Sequence, residues 1–156
     1  IAVSDLRAER LELATRAGAD LVVDVSRGQD LAWAQAELGM LEGFDIGLEM
    51  SGAPDAVRGM LENLNHGARV ALLGLPQSAY EIDWGKVITH MITLKGIYGR
   101  EMFETWYLMN AMLESSPALR DAVQSVITWR GPAEDWEDAF AHTRSGVGGK
   151  AVLDWS

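Results

Sequence analysis

Asp5 closes a short apolar run of β type at residues 1–4 and stands just ahead of a helical pattern, with Arg10 one turn further on. A carboxylate at such a strand end can accept hydrogen bonds from ribose hydroxyls, as in dinucleotide-binding folds. Its charge also repels a 2′-phosphate, which selects NAD over NADP. Arg10 has the length to lie across the ribose or the adenine. Taken alone, Asp5 is read more simply as a helix N-cap. The glycine fingerprint that separates the two readings belongs about 20 residues upstream, ahead of Ile1.

A second set of candidates lies on glycine turns. Gly74 ends the apolar run at residues 69–73, and Leu73, Gly74 and Leu75 can present backbone groups to a flat ligand that glycine lets approach closely. Gly52 makes a similar strand-end turn, and Ile97 with Tyr98 follows a third short run, punctuated by Gly96 and Gly99. An ordinary strand-to-loop turn fits each one singly. Strand ends gathered on one edge of a parallel sheet are where such domains hold ligands, so the set carries more than any one glycine.

Other residues with chemical capacity carry less. His66, His90 and His142 are far apart in sequence and lack metal-ligand spacing. Residues 146–150, GVGGK, lack the spacing and the trailing Ser or Thr of a phosphate loop. Glu49 has the position of a buried base without a visible partner, and the acidic run at residues 134–138 reads as a solvated helix start. Neither a nucleophile paired with a base nor a metal-ligand cluster is legible, so the chain reads as binding rather than catalysing.

The elements that position these residues alternate. Strands are expected at residues 1–4, 21–25, 44–50, 69–73 and 93–97. Helices are expected at residues 7–17, 29–38 (capped by Ser26), 54–64, 83–90 and 101–114. Residues 65–67 read as a turn. In the last helix Met102, Trp106, Met109 and Leu113 fall on one stripe. Connections too long for hairpins imply parallel βαβ units in an α/β, doubly wound sheet. After Ser116-Pro117 the pattern becomes a strand at 123–128, a helix at 133–144 and a strand at 151–155, a tail belonging to a second layer or domain.

Composition narrows the function classes. With 156 residues, 48% of them hydrophobic, the chain can bury a core of its own. A net charge of −10 with no Lys/Arg stripe speaks against nucleic acid as a partner. No run reaches the roughly 18 apolar residues of a membrane span. There are no cysteines, hence no disulfide or thiolate zinc site within the chain, which fits a cytoplasmic protein. The opening on Ile-Ala-Val, inside a strand, is that of a piece of a longer protein.

Several phrases bear a family resemblance: RLELA at residues 10–14, GFDIGLEMSGAP at 43–54, NHGARVALLGLP at 65–76, IDW at 82–84, KGIYGREMFETW at 95–106, and the closing RSG and GK. Together they resemble the carboxyl-terminal half of the bacterial L-threonine 3-dehydrogenases, members of the zinc-dependent medium-chain alcohol dehydrogenases. The resemblance implies a Rossmann-type doubly wound sheet over residues 1–116, truncated before its first strand, and a segment at 117–156 that packs back toward the catalytic domain. It implies NAD-dependent oxidation of L-threonine to 2-amino-3-oxobutyrate by a cytoplasmic tetramer, with Asp5 and Arg10 at the adenosine ribose. Leu73, Gly74, Leu75, Ile97 and Tyr98 then pass beside the nicotinamide. The zinc ligands, proton relay and glycine fingerprint of that family precede Ile1, so the chain alone is expected to be inactive. Loss of the central first strand predicts either halves that close up or compensation by a neighbouring chain. A polyol or alcohol dehydrogenase of the same superfamily, or a non-catalytic nucleotide-binding or assembly module, remain the alternatives.

Overall fold

Short β-branched runs and amphipathic helices alternate along the chain, and a computed structural model describes all 156 residues. In order they are β1 (Ala2–Asp5), α1 (Ala8–Arg16), β2 (Leu21–Asp24), α2 (Leu31–Glu37), β3 (Phe44–Glu49), α3 (Pro54–Glu62), β4 (Leu64–Leu72), α4 (Trp84–Thr89) and β5 (Thr93–Gly96). Then come α5 (Glu104–Ser115), α6 (Pro117–Ser125), β6 (Ile127–Pro132), α7 (Trp136–Ser145) and β7 (Lys150–Asp154). Every strand pair is parallel, the consequence of a helix inserted in each connection. The α/β, parallel character expected from the alternation is therefore present, with a Rossmann-like strand–helix order.

The chain divides into two compact units, one of Ile1–Gln29 with Met102–Ser156 and the other of Asp30–Glu101. In the first, β1 pairs with β2 and β6 with β7, and Leu11, Val23 and Ala139 are buried. In the second, the strand order is β3-β4-β5, and the core is Val57 and Leu61 of α3 against Leu64, Ala68, Val70 and Ile92. Each of the buried Val, Leu and Ile side chains contributes about 1.5–3 kcal/mol relative to exposure. Hydrogen bonding gives three ladders, β1-β2, β3-β4-β5 and β6-β7.

Several local expectations are corrected. The side chain of Asp30, not Ser26, caps α2 by accepting from the Trp33 N–H at 2.7 Å. Ser26 sits in a 3-10 turn (Val25–Arg27) whose own cap is Asp24. The expected turn at 65–67 is a bulge inside β4: the register moves from Phe44↔Leu64 to Ile46↔Arg69, with Gly67 at φ 75°. Residues 123–125 are helical, because Ser116 accepts from the Leu119 N–H and Pro117 supplies a first-turn φ, starting α6 and delaying the strand to Ile127. Helix α5 begins at Glu104 rather than 101, and none of its residues is buried. Its apolar stripe meets no core.

Candidate functional site

Asp5 ends β1, directly beside its register partner Asp24 at the end of β2. The N-cap position of α1 belongs to Arg7, which offers no side-chain cap, so the capping role considered for Asp5 is not what the carboxylate does. Instead its Oδ1 accepts the Arg7 N–H at 2.9 Å, closing a tight turn, and its Oδ2 lies 3.7 Å from a guanidinium nitrogen of Arg10. The Asp5 side chain is 27% exposed and that of Arg10 49%, so both remain open to a ligand. As a half-exposed pair they contribute about 0–1 kcal/mol to stability. Sequence reasoning passed over Asp24, although its strand-end position repeats that of Asp5. Its Oδ1 accepts from the Ser26 N–H at 3.0 Å and its Oδ2 pairs with Arg27 at 3.1 Å.

The second unit carries the other candidates. Leu72 and Gly96 are register partners at the ends of β4 and β5, so Leu73, Gly74 and Leu75 leave the sheet beside Ile97 and Tyr98. The Ile97 N–H donates to the Leu72 carbonyl at 2.9 Å. Leu73, Leu75 and Tyr98 are exposed, Tyr98 to 95%. Within this unit the structure thus gathers five of the expected residues at one strand end, while Asp5 and Arg10 sit together in the other unit.

Gly74 and Gly52 interlock. A Cβ on Gly74 would lie 2.0 Å from the Gly52 nitrogen, and one on Gly52 (φ 71°) would lie 2.5 Å from the Leu75 carbonyl oxygen. Only glycine at both positions lets these two backbones pass. Glu49, buried at 2% exposure, underlies the pair. Its carboxylate accepts the Ser51 N–H at 2.8 Å and the Gly52 N–H at 3.0 Å, while its own carbonyl accepts from Leu73 and Gly74. The partner missing from the sequence reading is therefore the backbone of its own turn, and Glu49 is a scaffold for the glycine loops rather than a base.

The histidines also regroup. His66 in the β4 bulge and His90 after α4 stack with ring centroids 4.3 Å apart, and the Gly67 N–H donates to the His90 carbonyl at 2.8 Å. Burial first, then the positive charges of Lys86 and His66, hold His90 below the ordinary imidazole pKa. No group of three or more His, Cys, Asp or Glu is placed to hold a metal ion, so the residues present do not fit a zinc site. The partly exposed strand-end carboxylate of Asp5 with Arg10 beside it has the chemistry to accept ribose hydroxyls. The space beside Gly74 and Gly52, by contrast, is taken up by each other's loop backbone rather than left open to a flat ligand.

The family profile for zinc-binding dehydrogenases matches residues 1–115. The L-threonine 3-dehydrogenase of Streptomyces coelicolor is 53% identical over 156 residues, which is 100% of this chain and 44% of that protein. The chain thus spans less than half the length of the curated relatives it matches. Among solved structures, an alcohol dehydrogenase zinc-binding domain protein from Burkholderia ambifaria superposes with a TM-score of 0.82 at 24% identity, over 100% of this chain and 42% of that one. A short chain alcohol dehydrogenase from E. coli CFT073, complexed with NADH, gives 0.83 at 18% identity over 99% of this chain and 44% of that one. At these identities the likeness concerns the fold.

Proposed function

The chain belongs to the zinc-binding dehydrogenase family, and from that premise we propose that it is the NAD-binding, carboxyl-terminal portion of an L-threonine 3-dehydrogenase. The observation that carries this reading is the 53% identity to such an enzyme along the whole chain. Residues 1–116 are the partial dinucleotide-binding domain, and 117–156 pack toward a catalytic domain. Asp5 receives the adenosine ribose hydroxyls and Arg10 flanks them. Leu73, Gly74 and Leu75, with Ile97 and Tyr98, line the nicotinamide by backbone approach. Bound NAD supplies a hydride acceptor, so that L-threonine becomes 2-amino-3-oxobutyrate. These residues bind and orient; the residues that take the hydroxyl proton and hold zinc belong to other parts of a longer chain. The full protein is a cytoplasmic homotetramer, and the 156-residue piece alone is inactive.

The test is an assay of the full chain carrying these residues, following NADH absorbance with L-threonine and with simple polyols. Threonine-dependent NADH formation is the expected result. Turnover of a polyol with none of threonine overturns the substrate, and failure to bind NAD by calorimetry overturns the whole reading.

A further inference from the structure

Arg7 is anchored at both ends. Its backbone N–H holds the Asp5 carboxylate at 2.9 Å, while its guanidinium donates to the Ser145 carbonyl at 3.2 Å. Ser145 is the last residue of α7, where carbonyls lack helical partners and the helix dipole favours a cation. The next residue, Gly146, has φ 67°, and a Cβ there would lie 2.6 Å from the Arg7 Cζ and 2.7 Å from its Nη1. The guanidinium therefore lies in the space that a side chain at 146 would fill. These contacts all fall within the unit formed by residues 1–29 and 102–156.

We infer that Arg7 is a positioning residue for ribose recognition, through which the carboxyl-terminal end of α7 sets the Asp5 turn. This rests on the proposed function, since it assigns the ribose to Asp5. Arg7, at the N-cap of α1, makes no side-chain cap of its own, so locally the turn is closed by the Arg7 N–H to Asp5 bond. Tethering Arg7 to α7 stiffens that turn from 138 residues away in sequence. A carboxylate fixed in place both receives the ribose hydroxyls and rejects a 2′-phosphate, so loosening it weakens NAD and relaxes the discrimination against NADP together. A general loss of stability does not change that ratio.

The experiment is calorimetric titration of the full chain with NAD and NADP, comparing the unchanged protein with Arg7→Ala, Arg7→Lys and Gly146→Asn. Asparagine tolerates the left-handed backbone but displaces the guanidinium. Arg7→Ala and Gly146→Asn are expected to weaken NAD roughly three- to tenfold and to narrow the NADP-to-NAD ratio of Kd values, as for the loss of one charge-assisted hydrogen bond. Arg7→Lys, which still donates to Ser145, is expected to stay within about twofold of the unchanged protein. Lower melting temperatures with an unaltered ratio, or unaltered Kd values in both variants, overturn the inference while leaving the proposed function intact. Absence of NAD binding by the unchanged protein overturns both.

Discussion

At the scale of single residues, the site depends on groups whose neighbours are backbone. Gly74→Ala places a Cβ against the Gly52 nitrogen, which has no flexible end to yield. Overpacking of this kind costs about 1–3 kcal/mol, and denaturant titration should show a lowered midpoint. The stacked imidazoles give a pH dependence whose sign is fixed. Because the folded pKa of His90 lies below its ordinary 6.5, the unfolded chain binds the proton first as pH falls. Stability is thus intact above about pH 6.5, declines as pH drops through that value, and finishes declining once the folded-state pKa is passed. His66→Gln removes one of the causes, so its unfolding midpoint should fall less than that of the unchanged protein between about pH 7.5 and 5.5. Equal falls would show that the stack does not contribute.

At the scale of elements, caps and glycines decide where helices begin. Asp30→Ala deprives the Trp33 N–H of its acceptor and should cost about 1 kcal/mol of stability in a denaturation curve. Ser26→Ala, at the position that the sequence first suggests as the cap, should cost clearly less, because Asp24 already caps that turn. The alternation of short apolar runs with helical stripes located most of the long elements to within a few residues, but it missed α6, found only the second half of β4 and set β6 four residues early. It was lost between residues 117 and 125, since a Pro at a helix start and an apolar run ahead of a strand look alike when only hydrophobicity is read. The β4 bulge escaped for a similar reason. Asn-His-Gly has the composition of a turn, and only pairing with β3 shows that the strand continues through it.

At the scale of the whole molecule, the chain leaves large apolar surfaces without cover. On β3, Ile46 is 69% and Leu48 61% exposed on the same face, while Gly47 and Glu49 alternate inward. Helix α5 adds Tyr107, Leu108 and Met109, all more than half exposed. Patches of this kind mark surfaces that a partner or another segment covers. The 156-residue chain by itself should therefore enhance the fluorescence of a hydrophobic dye, and Ile46→Lys with Leu48→Lys should reduce that signal. Dye fluorescence equal to that of a protein with no exposed patch would contradict this. No helix is long and apolar enough to cross a membrane.

The sequence by itself determined the α/β class, the parallel connections, the strand-end positions of Asp5, Gly74 and Ile97, and the family, because hydrophobic period, glycine placement and local phrases are properties of neighbouring residues. Tertiary structure alone decided which groups meet. Burial and backbone geometry turned Glu49 from a candidate base into the support of two glycine loops, brought His66 onto His90, and set Arg7 between Asp5 and Ser145. Those contacts join residues far apart in the chain, and no local pattern records a distance that only packing closes.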